Sequence, residues 1–155
     1  MKLAIGSDEK KHLTDFVVEE LNKRGYTLEL FGPLRGENEL WPQVALAVAE
    51  RVARGEADEG ILFCWTGTGV SIAANKVPGI RAALVNDAET AKGARLWNRA
   101  NVLCLSLRAT SEIIAKEILD AWFGTPLGTD AVDVGCVEKV AEIERKYQKA
   151  VGGRQ

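Results

Sequence analysis

The segment LFCWTGTGVSIAANK, residues 62–76, holds the strongest candidate for catalysis, because a single thiol, Cys64, precedes a turn rich in threonine and glycine. A thiol accepts a proton well only as its thiolate, and the N-terminus of a helix favours that anion. The glycines allow backbone N–H groups to turn towards a bound oxygen. A base beside such donors suits removal of a proton next to a carbonyl and stabilisation of the enediolate that forms.

Two other interpretations of this segment stay open on the residues alone. A cysteine that ends a buried strand is usually a small hydrophobic core residue. Glycine-rich turns between a strand and a helix also occur in nucleotide-binding proteins, although GTGVS lacks the lysine of a P-loop and the spacing of a dinucleotide fingerprint. The turn by itself therefore does not identify a ligand.

Short apolar segments alternate with longer amphipathic ones along the chain, and this alternation predicts five β-α units. Strands are predicted at residues 2–7, 26–32, 60–64, 79–85 and 101–107. Helices are predicted at residues 10–25, 41–55, 69–77, 87–100, 110–124 and from 136 onwards, with residues 125–135 as a loop. Asp87 and either Thr110 or Ser111 are the expected helix caps. Strands that are apolar throughout indicate a three-layer α/β sandwich with a five-stranded parallel sheet and a C-terminal helical extension.

Length and composition indicate one globular domain, residues 1–155, with 46% hydrophobic and 27% charged residues. A net charge of −2 gives no basic surface for nucleic acid. The N-terminal MKLAIGSDEKK is too short in apolar residues for a signal peptide or a membrane span. Three cysteines without a CxxC motif favour reduced thiols in a cytoplasmic protein and argue against a zinc site.

Parallel sheets of this type bind ligands outside the carboxyl ends of their strands. Three polar segments fall there: GSDEKK after the first strand, CWTGTG after the third and SLRATS after the fifth. We expect the functional site where these segments meet.

Several of these segments together resemble the sugar-phosphate isomerase family, which comprises type B ribose-5-phosphate isomerase and the galactose-6-phosphate isomerase subunits. The resemblance covers about residues 1–145 and is carried by SD after the first strand, WP at the second helix, CWTGTGVSIAANKVPGIRAAL, NRANVLCLSLR and the charged C-terminal helix. It implies a flavodoxin-like, Rossmann-like fold and an aldose–ketose isomerase without metal or cofactor. It also implies a homodimer or tetramer with a shared active site, in which the C-terminal helix, about residues 136–150, packs on a partner subunit.

The resemblance also implies roles for individual residues. Cys64 matches the base that moves a proton between C1 and C2. Thr66, in the same turn, is expected to be a catalytic residue as well. Asn98 matches the side chain that completes the oxyanion pocket, Asp8 the acid that orients sugar hydroxyls, and Arg108 an arginine near the phosphate. The amides of the oxyanion pocket are those of Gly67, Thr68, Gly69, Val70 and Ser71.

Four departures from the family pattern bear on the substrate. Glu9 replaces a histidine that helps at the substrate, and Trp97 replaces the histidine assigned to opening the sugar ring. Trp65 stands within the family's CGTG motif. The segment TDAVDVGCVEKV has no arginine, and Cys136 stands roughly where a phosphate-clamping arginine is expected.

These departures lead to a substrate hypothesis. The cations available to replace the missing arginines are Lys10, Lys11, Arg35 and Arg99. Trp65 and Trp97 are expected to form walls of the pocket, as is Trp41 unless it packs in the core. We therefore expect a sugar or sugar phosphate other than ribose 5-phosphate, less dependent on phosphate or on ring opening.

Two rival functions remain at this point. One is a family member that has lost catalysis and binds a sugar or sugar phosphate as a sensor or structural subunit, which the missing histidine and arginines favour. The other is a nucleotide- or flavin-binding module, which the absence of a dinucleotide fingerprint disfavours. His12, the only histidine, is assigned a surface or helix-packing role, and Cys104 a buried, inert one.

Overall fold

Five β-α units follow one another in the computed structural model, which describes the backbone of residues 1–152 and side chains up to Gln148. Residues 153–155, which belong to the predicted domain, lie outside this described part. The strands are β1 (Lys2–Ser7), β2 (Thr27–Phe31), β3 (Glu59–Cys64), β4 (Ala82–Leu84) and β5 (Val102–Ser106). The helices are α1 (His12–Lys23), α2 (Trp41–Ala53), α3 (Thr68–Ala74), α4 (Ala88–Leu96), α5 (Glu112–Gly124) and α6 (Ala131–Gly152), with a 3-10 turn at Gly32–Arg35.

All five strands are parallel and form one sheet in the order β2-β1-β3-β5-β4. The predicted five-stranded parallel sheet is therefore confirmed. The order differs from the flavodoxin order, 2-1-3-4-5, in that β5 lies between β3 and β4. As a result, the carboxyl ends of β1, β3 and β5 lie side by side, and β4 is an edge strand.

Helices cover both faces of the sheet and give two hydrophobic cores. Side chains of α1, α4 and α5 pack on one face, around Ile5, Phe63 and Leu105. Side chains of α2 and α3 pack on the other face, and Cys64 and Cys104 belong to this second core. Every residue of β3 is buried, as expected for a central strand with helices on both sides.

The C-terminal helix begins earlier than the sequence pattern predicts. Residues 125–135 were predicted as a loop, but α6 begins at Ala131. The side chain of Asp130 accepts hydrogen bonds from the N–H groups of Val132 (2.9 Å) and Asp133 (3.4 Å). This side-chain cap satisfies N–H groups of the first helical turn, so that the helix starts there.

The other predicted helix starts agree with the structure to within two residues, whereas α4 ends at Leu96 and not at residue 100 as predicted. Asp87 caps α4 by accepting from the Thr90 N–H, and Ser111, the second of the two proposed residues, caps α5 by accepting from the Ile114 N–H. The helix α2 starts at Trp41-Pro42 as expected. Within residues 1–152, none of the helices combines the length and the apolar character needed to cross a membrane.

Candidate active site

The turn between β3 and α3 places Cys64 at the carboxyl edge of the sheet. Cys64 is the last residue of β3 and is 5% exposed, whereas Trp65 directly after it is 54% exposed. Gly67 has a left-handed backbone (φ 75°) and donates its N–H to the Cys64 carbonyl at 3.2 Å. A Cβ on Gly67 would lie 2.5 Å from Leu84 Cδ1 and 3.0 Å from the Leu105 carbonyl carbon. Only glycine therefore fits this turn without strain.

The start of α3 offers unpaired backbone donors next to this turn. Among the described residues, the N–H groups of Thr68, Gly69 and Val70 donate to no protein acceptor, as is usual at a helix N-terminus. The N–H groups of Gly67 and Ser71 are already used within the turn, towards Cys64 and Gly67. Of the five predicted amides, three are therefore unpaired. The hydroxyls of Thr66 and Thr68 share a hydrogen bond of 2.6 Å.

The segment after β5 holds the β3–α3 turn in place. The Cys64 carbonyl accepts the Leu107 N–H at 3.0 Å, and the Trp65 carbonyl accepts the Arg108 N–H at 3.1 Å. The buried Ser106 hydroxyl donates to the same Trp65 carbonyl at 3.0 Å. Arg108 is therefore fixed at this edge through its backbone, and its side chain is exposed.

Asp8 follows β1 and lies beside Cys64, because Ser7 of β1 pairs with Phe63 of β3. Its Oδ1 atom is buried and has no hydrogen-bond partner among the described residues. Burial, and then the negative charge of Glu9, raise the pKa of Asp8 above its ordinary value. Glu9 itself forms an ion pair with Lys11 at 2.7 Å. Of the two carboxylates after β1, Asp8 therefore has the unpaired oxygen that a sugar hydroxyl can satisfy.

Glu39, just before α2, and Trp41, the first residue of α2, also lie at this edge of the sheet. The aromatic ring of Trp41 lies against Gly69, where a Cβ would be 3.1 Å from Trp41 Cδ2. Trp41 is thus a wall beside the free amides and 41% exposed. Glu39 Oε2 is buried and has no hydrogen-bond partner among the described residues. Glu39 was not predicted as a site residue, and a glutamate just before the Leu-Trp-Pro helix start is the only signal the sequence offers for it.

Trp97 and Asn98 lie in a different place within the chain. Both line a groove of about 500 Å³ along the edge strand β4, together with residues of α4. The Trp97 ring packs on Gly93, where a Cβ would lie 2.6 Å from Trp97 Cζ3, and it is 60% exposed. None of Cys64, Trp65 and Thr66 lines this groove. The segments after β1, β3 and β5 therefore lie along one edge of the sheet, whereas Asn98 lines the groove beside β4.

The cations proposed to replace the missing arginines are already partnered. Lys10 pairs with Asp15 at 3.6 Å, Lys11 with Glu9 at 2.7 Å and Arg35 with Glu37 at 2.6 Å. Arg99 donates to the Gly128 carbonyl at 2.5 Å. Arg108 forms no ion pair among the described residues.

The remaining candidate groups are a surface histidine, a core cysteine close to Cys64 and a surface cysteine. His12 contacts Glu112 of α5 and its side chain is 90% exposed, in keeping with a surface role. Burial, and then the nearby Cys64, raise the pKa of Cys104 far above its ordinary value, so Cys104 stays a neutral core residue. Cys136 is exposed on α6. Within the described residues, no group of three His, Cys, Asp or Glu side chains is placed to hold a metal ion.

Comparison with known proteins gives a consistent result. Residues 3–140 match the model of the family described as Ribose/Galactose Isomerase. The chain is 33% identical to "Ribose-5-P isomerase B" from Listeria innocua, over 94% of this chain and all of that one. It is 39% identical to "D-erythrulose-4-phosphate isomerase" from Pectobacterium atrosepticum, over 79% of this chain and 82% of that one. The structure of ribose-5-phosphate isomerase B from Clostridium thermocellum superposes with a TM-score of 0.88, at 42% identity, and covers 95% of this chain and 99% of that one.

Proposed function

The chain belongs to the ribose/galactose isomerase family, and from this premise we propose that it is an aldose–ketose isomerase of a sugar phosphate in which Cys64 moves the proton. The observation that supports this proposal best is local. Cys64 ends β3 at the edge of the sheet, one turn before three unpaired amides at the start of α3. A proton acceptor beside unpaired donors is the arrangement that enediolate chemistry requires.

The proposed reaction uses this arrangement in two steps. The Cys64 thiolate takes the proton from the carbon beside the substrate carbonyl, and the C–H electron pair moves into an enediolate. The amides of Thr68, Gly69 and Val70, with the Asn98 side chain, donate hydrogen bonds to its oxygen. A proton then moves from the hydroxyl oxygen of the enediolate to its charged oxygen, and the Cys64 thiol returns its own proton to the neighbouring carbon, which gives the isomeric sugar and the thiolate again. Thr66 contributes its hydroxyl to the same turn.

The substrate is held by groups on either side of this centre. Asp8, whose buried oxygen is unpaired, accepts hydrogen bonds from sugar hydroxyls, and Glu9 lies beside it. Trp65 and Trp97 cover the C–H faces of the sugar, and Arg108 binds the phosphate. Since the other candidate cations are already partnered, a single arginine leaves fewer charge-assisted hydrogen bonds for a phosphate.

We also propose that the active enzyme is a homo-oligomer, a dimer or tetramer, with the site shared between subunits. Within one chain Asn98 lines the groove along β4, which Cys64 does not line, so we assign the Asn98 of each site to a second copy. The helix α6 supports this arrangement, because Val132, Val140, Ile143 and Tyr147 on it are each more than half exposed. Exposed apolar side chains of this size indicate a surface for another subunit.

A four-carbon substrate fits the departures from the family pattern. The relative from Pectobacterium atrosepticum is named a D-erythrulose-4-phosphate isomerase. A tetrose 4-phosphate has no free hydroxyl placed to close a five- or six-membered ring, so its isomerisation needs no ring-opening acid. Trp97 can then stand where the family has its ring-opening histidine. We propose such a tetrose phosphate ahead of ribose 5-phosphate as the substrate.

Solvent-deuterium exchange tests the proposal directly. The purified protein is incubated in D₂O with D-erythrulose 4-phosphate, ribose 5-phosphate and galactose 6-phosphate, and deuterium at the carbon beside the carbonyl is followed by NMR. We expect exchange with at least one of them, fastest with the tetrose phosphate, and none above background in Cys64→Ala. Equal exchange in wild type and Cys64→Ala contradicts the role of Cys64. Ribose 5-phosphate turning over as fast as the tetrose phosphate contradicts the substrate proposal alone.

Complementation of two inactive variants tests the shared site. Cys64→Ala and Asn98→Ala chains are produced together, so that about half of the dimers are hybrids. If each site takes Cys64 from one subunit and Asn98 from the other, every hybrid has one intact site, and about a quarter of the wild-type activity returns. If both residues belong to the same subunit's site, no activity returns.

A sugar-binding protein without catalysis is the second candidate, and the partnered cations favour it. Such a protein binds a sugar phosphate, which stabilises it against heat, but catalyses no deuterium exchange. Thermal unfolding with each sugar phosphate, measured beside the exchange assay, separates the two functions.

A further inference from the structure

The turn that follows Asn98 has an unusual backbone. Arg99 has φ 47° and is the only residue other than glycine with a positive φ in the described part of the chain. L-residues rarely adopt this left-handed conformation, and asparagine or aspartate do so more readily than arginine. Such a conformation persists only where the surroundings enforce it, and it is concentrated at functional sites.

Hydrogen bonds from three directions enforce the turn. The Arg99 carbonyl accepts from Arg81 Nε at 3.0 Å, and the Arg99 guanidinium donates to the Gly128 carbonyl at 2.5 Å. The buried Arg95 guanidinium donates to the Ala100 carbonyl at 2.7 Å. Ala100, which is 1% exposed, donates its N–H back to Ala94 of α4 at 3.0 Å.

The side chain of Asn98 takes no part in the hydrogen bonds that hold this turn. Asn98 is exposed, and its amide forms no hydrogen bond with any of the described residues. It borders both the groove along β4 and a second groove of about 1050 Å³ between β4 and α6. The backbone around Asn98 is therefore held rigidly, while its amide remains available to a ligand.

We propose that Arg99 and Arg81 are positioning residues that fix the backbone of Asn98, and so the point from which its side-chain amide reaches the substrate. This inference rests on the proposed function, in which Asn98 completes the oxyanion pocket. Arg99 acts through its left-handed backbone and its bond to Gly128, and Arg81 acts by holding the Arg99 carbonyl. Burial, and then the charge of Arg99, lower the pKa of Arg81, so bringing the two cations together is electrostatically unfavourable. A preorganised donor repays such a cost, because it needs no reorganisation during the reaction.

Two substitutions at Arg99 distinguish the effect of its left-handed backbone from the effect of its positive charge. Arg99→Val disfavours the left-handed backbone and removes the guanidinium, whereas Arg99→Asn tolerates that backbone and removes only the guanidinium. We expect Arg99→Val to lower kcat about tenfold to 100-fold, the effect of a misplaced group, with KM changed less than about threefold. Arg99→Asn should lose less than Arg99→Val. Both are assayed by deuterium exchange into D-erythrulose 4-phosphate and ribose 5-phosphate. Equal kcat in wild type and Arg99→Val overturns the proposal.

A double-mutant cycle distinguishes positioning from simple loss of stability. If Arg99 acts through Asn98, adding Arg99→Val to Asn98→Ala causes no further loss of kcat. If Arg99→Val lowers kcat by the same factor in wild type and in Asn98→Ala, the positioning role is overturned while the proposed function stands. Arg81→Lys keeps the positive charge but removes the Nε donor, and it serves in the cycle if Arg99→Val does not fold.

NMR of the Asn98 side-chain amide tests the inference without turnover. Its two N–H signals are assigned by their loss in Asn98→Ala. We expect these signals, and the backbone N–H signal of Asn98, to shift in Arg99→Val and Arg81→Lys, because the turn that carries the side chain changes. Unchanged signals in both variants overturn the positioning role. Absence of exchange with every sugar phosphate by the wild type contradicts the proposed function instead, and leaves this NMR comparison as the test of Arg99.

Discussion

The polar groups at the two ends of strand β3 differ in whether they have hydrogen-bond partners within the protein. At the amino end, Glu59 is buried, and its two carboxylate oxygens bind Arg95 and Trp122, each at 2.6 Å. The Arg95 guanidinium also lies over the Trp122 ring, 5.0 Å from its centre. At the carboxyl end, oxygens of Asp8 and Glu39 are buried without a partner among the described residues. The amides at the start of α3 are unpaired as well.

This difference indicates which end stabilises the fold and which end binds a ligand. Buried polar groups are almost always hydrogen-bonded, and the few exceptions need an explanation. At the amino end both Glu59 oxygens are paired within the protein, although Arg95 Nε has no partner among the described residues, so these residues hold β3, α4 and α5 together. At the carboxyl end donors and acceptors are left unpaired, and a bound substrate can satisfy both. The following predictions test this division of roles.

The largest expected effect distinguishes two cysteines on the same face of the sheet. Cys64→Ser should lower kcat about 10²- to 10⁴-fold, the usual contribution of a general base, because an alcohol is a far weaker base than a thiolate. Cys104→Ser, the matched control, should retain activity and lose about 1–3 kcal/mol of stability, because its hydroxyl is buried away from water. Deuterium exchange and urea unfolding measure the two effects. An active Cys64→Ser variant would contradict the catalytic role of the carboxyl end.

The sequence predicted the part of this division that depends on local patterns. Apolar strands, the glycine turn at Gly67 and the caps Asp87 and Ser111 are local signals. They correctly predicted the sheet and the helices, and the functional site at the end of β3 stays a prediction. The resemblance to the family is confirmed by the match over residues 3–140. The start of α6 was missed, although Asp130 offered a capping signal of the same kind.

Contacts between distant residues could not be predicted from local patterns. Glu59 and Trp122 are 63 residues apart in the chain, and nothing around either residue indicates the other. The burial of Glu39 and the left-handed backbone of Arg99 likewise depend on neighbours contributed by other elements. A single sequence also contains no signal that Asn98 lines the groove along β4.

Replacing Arg95 should lower the stability that the amino end of β3 provides. Arg95→Met leaves the buried Glu59 carboxylate without its cation, and loss of one partner of a buried pair costs about 3–5 kcal/mol. For a chain of this length, each kcal/mol lowers Tm by about 2–4 °C. The matched control on the same helix is Lys92→Met, which removes an exposed pair with Glu89 and should cost less than about 1 kcal/mol. Equal Tm values for the two variants would show that the Glu59 cluster contributes no more than a surface pair.

A methyl group at Gly67 should distort the ligand-binding end. Gly67→Ala forces a left-handed backbone that costs about 1–2 kcal/mol, and its Cβ also meets Leu84 and the Leu105 carbonyl. Gly36→Ala is the control, since Gly36 is also left-handed (φ 87°) but has nothing within 4 Å of the added Cβ. Urea unfolding of both variants isolates the close contact at Gly67. If the two lose equal stability, the β3–α3 turn can relax, and the exchange rate of Gly67→Ala should then stay near wild type.

The smallest expected effect is a gain in stability at the ligand-binding end. The pKa of Asp8 is raised on folding, mainly by burial, so the folded chain binds this proton more tightly than the unfolded chain does. The contribution of Asp8 to stability is therefore complete below its ordinary value of 3.8 and is lost as the pH rises through the raised pKa. Asp8→Asn does not titrate and should be more stable than wild type at pH 7, by less than about 1 kcal/mol since the carboxyl is partly solvated.

Urea unfolding at pH 7 and near pH 3.5 measures this gain, which should fade at the lower pH. Asp15→Asn on α1 is the control for removing one exposed negative charge. The same Asp8→Asn variant should exchange deuterium into the sugar phosphate more slowly, because an amide orients the sugar hydroxyls less strongly than a carboxylate does. A variant that gains stability at neutral pH while it loses activity shows that Asp8 is kept for the substrate and not for the fold. If Asp8→Asn instead loses stability at pH 7, Asp8 belongs with Glu59 among the residues that hold the fold together.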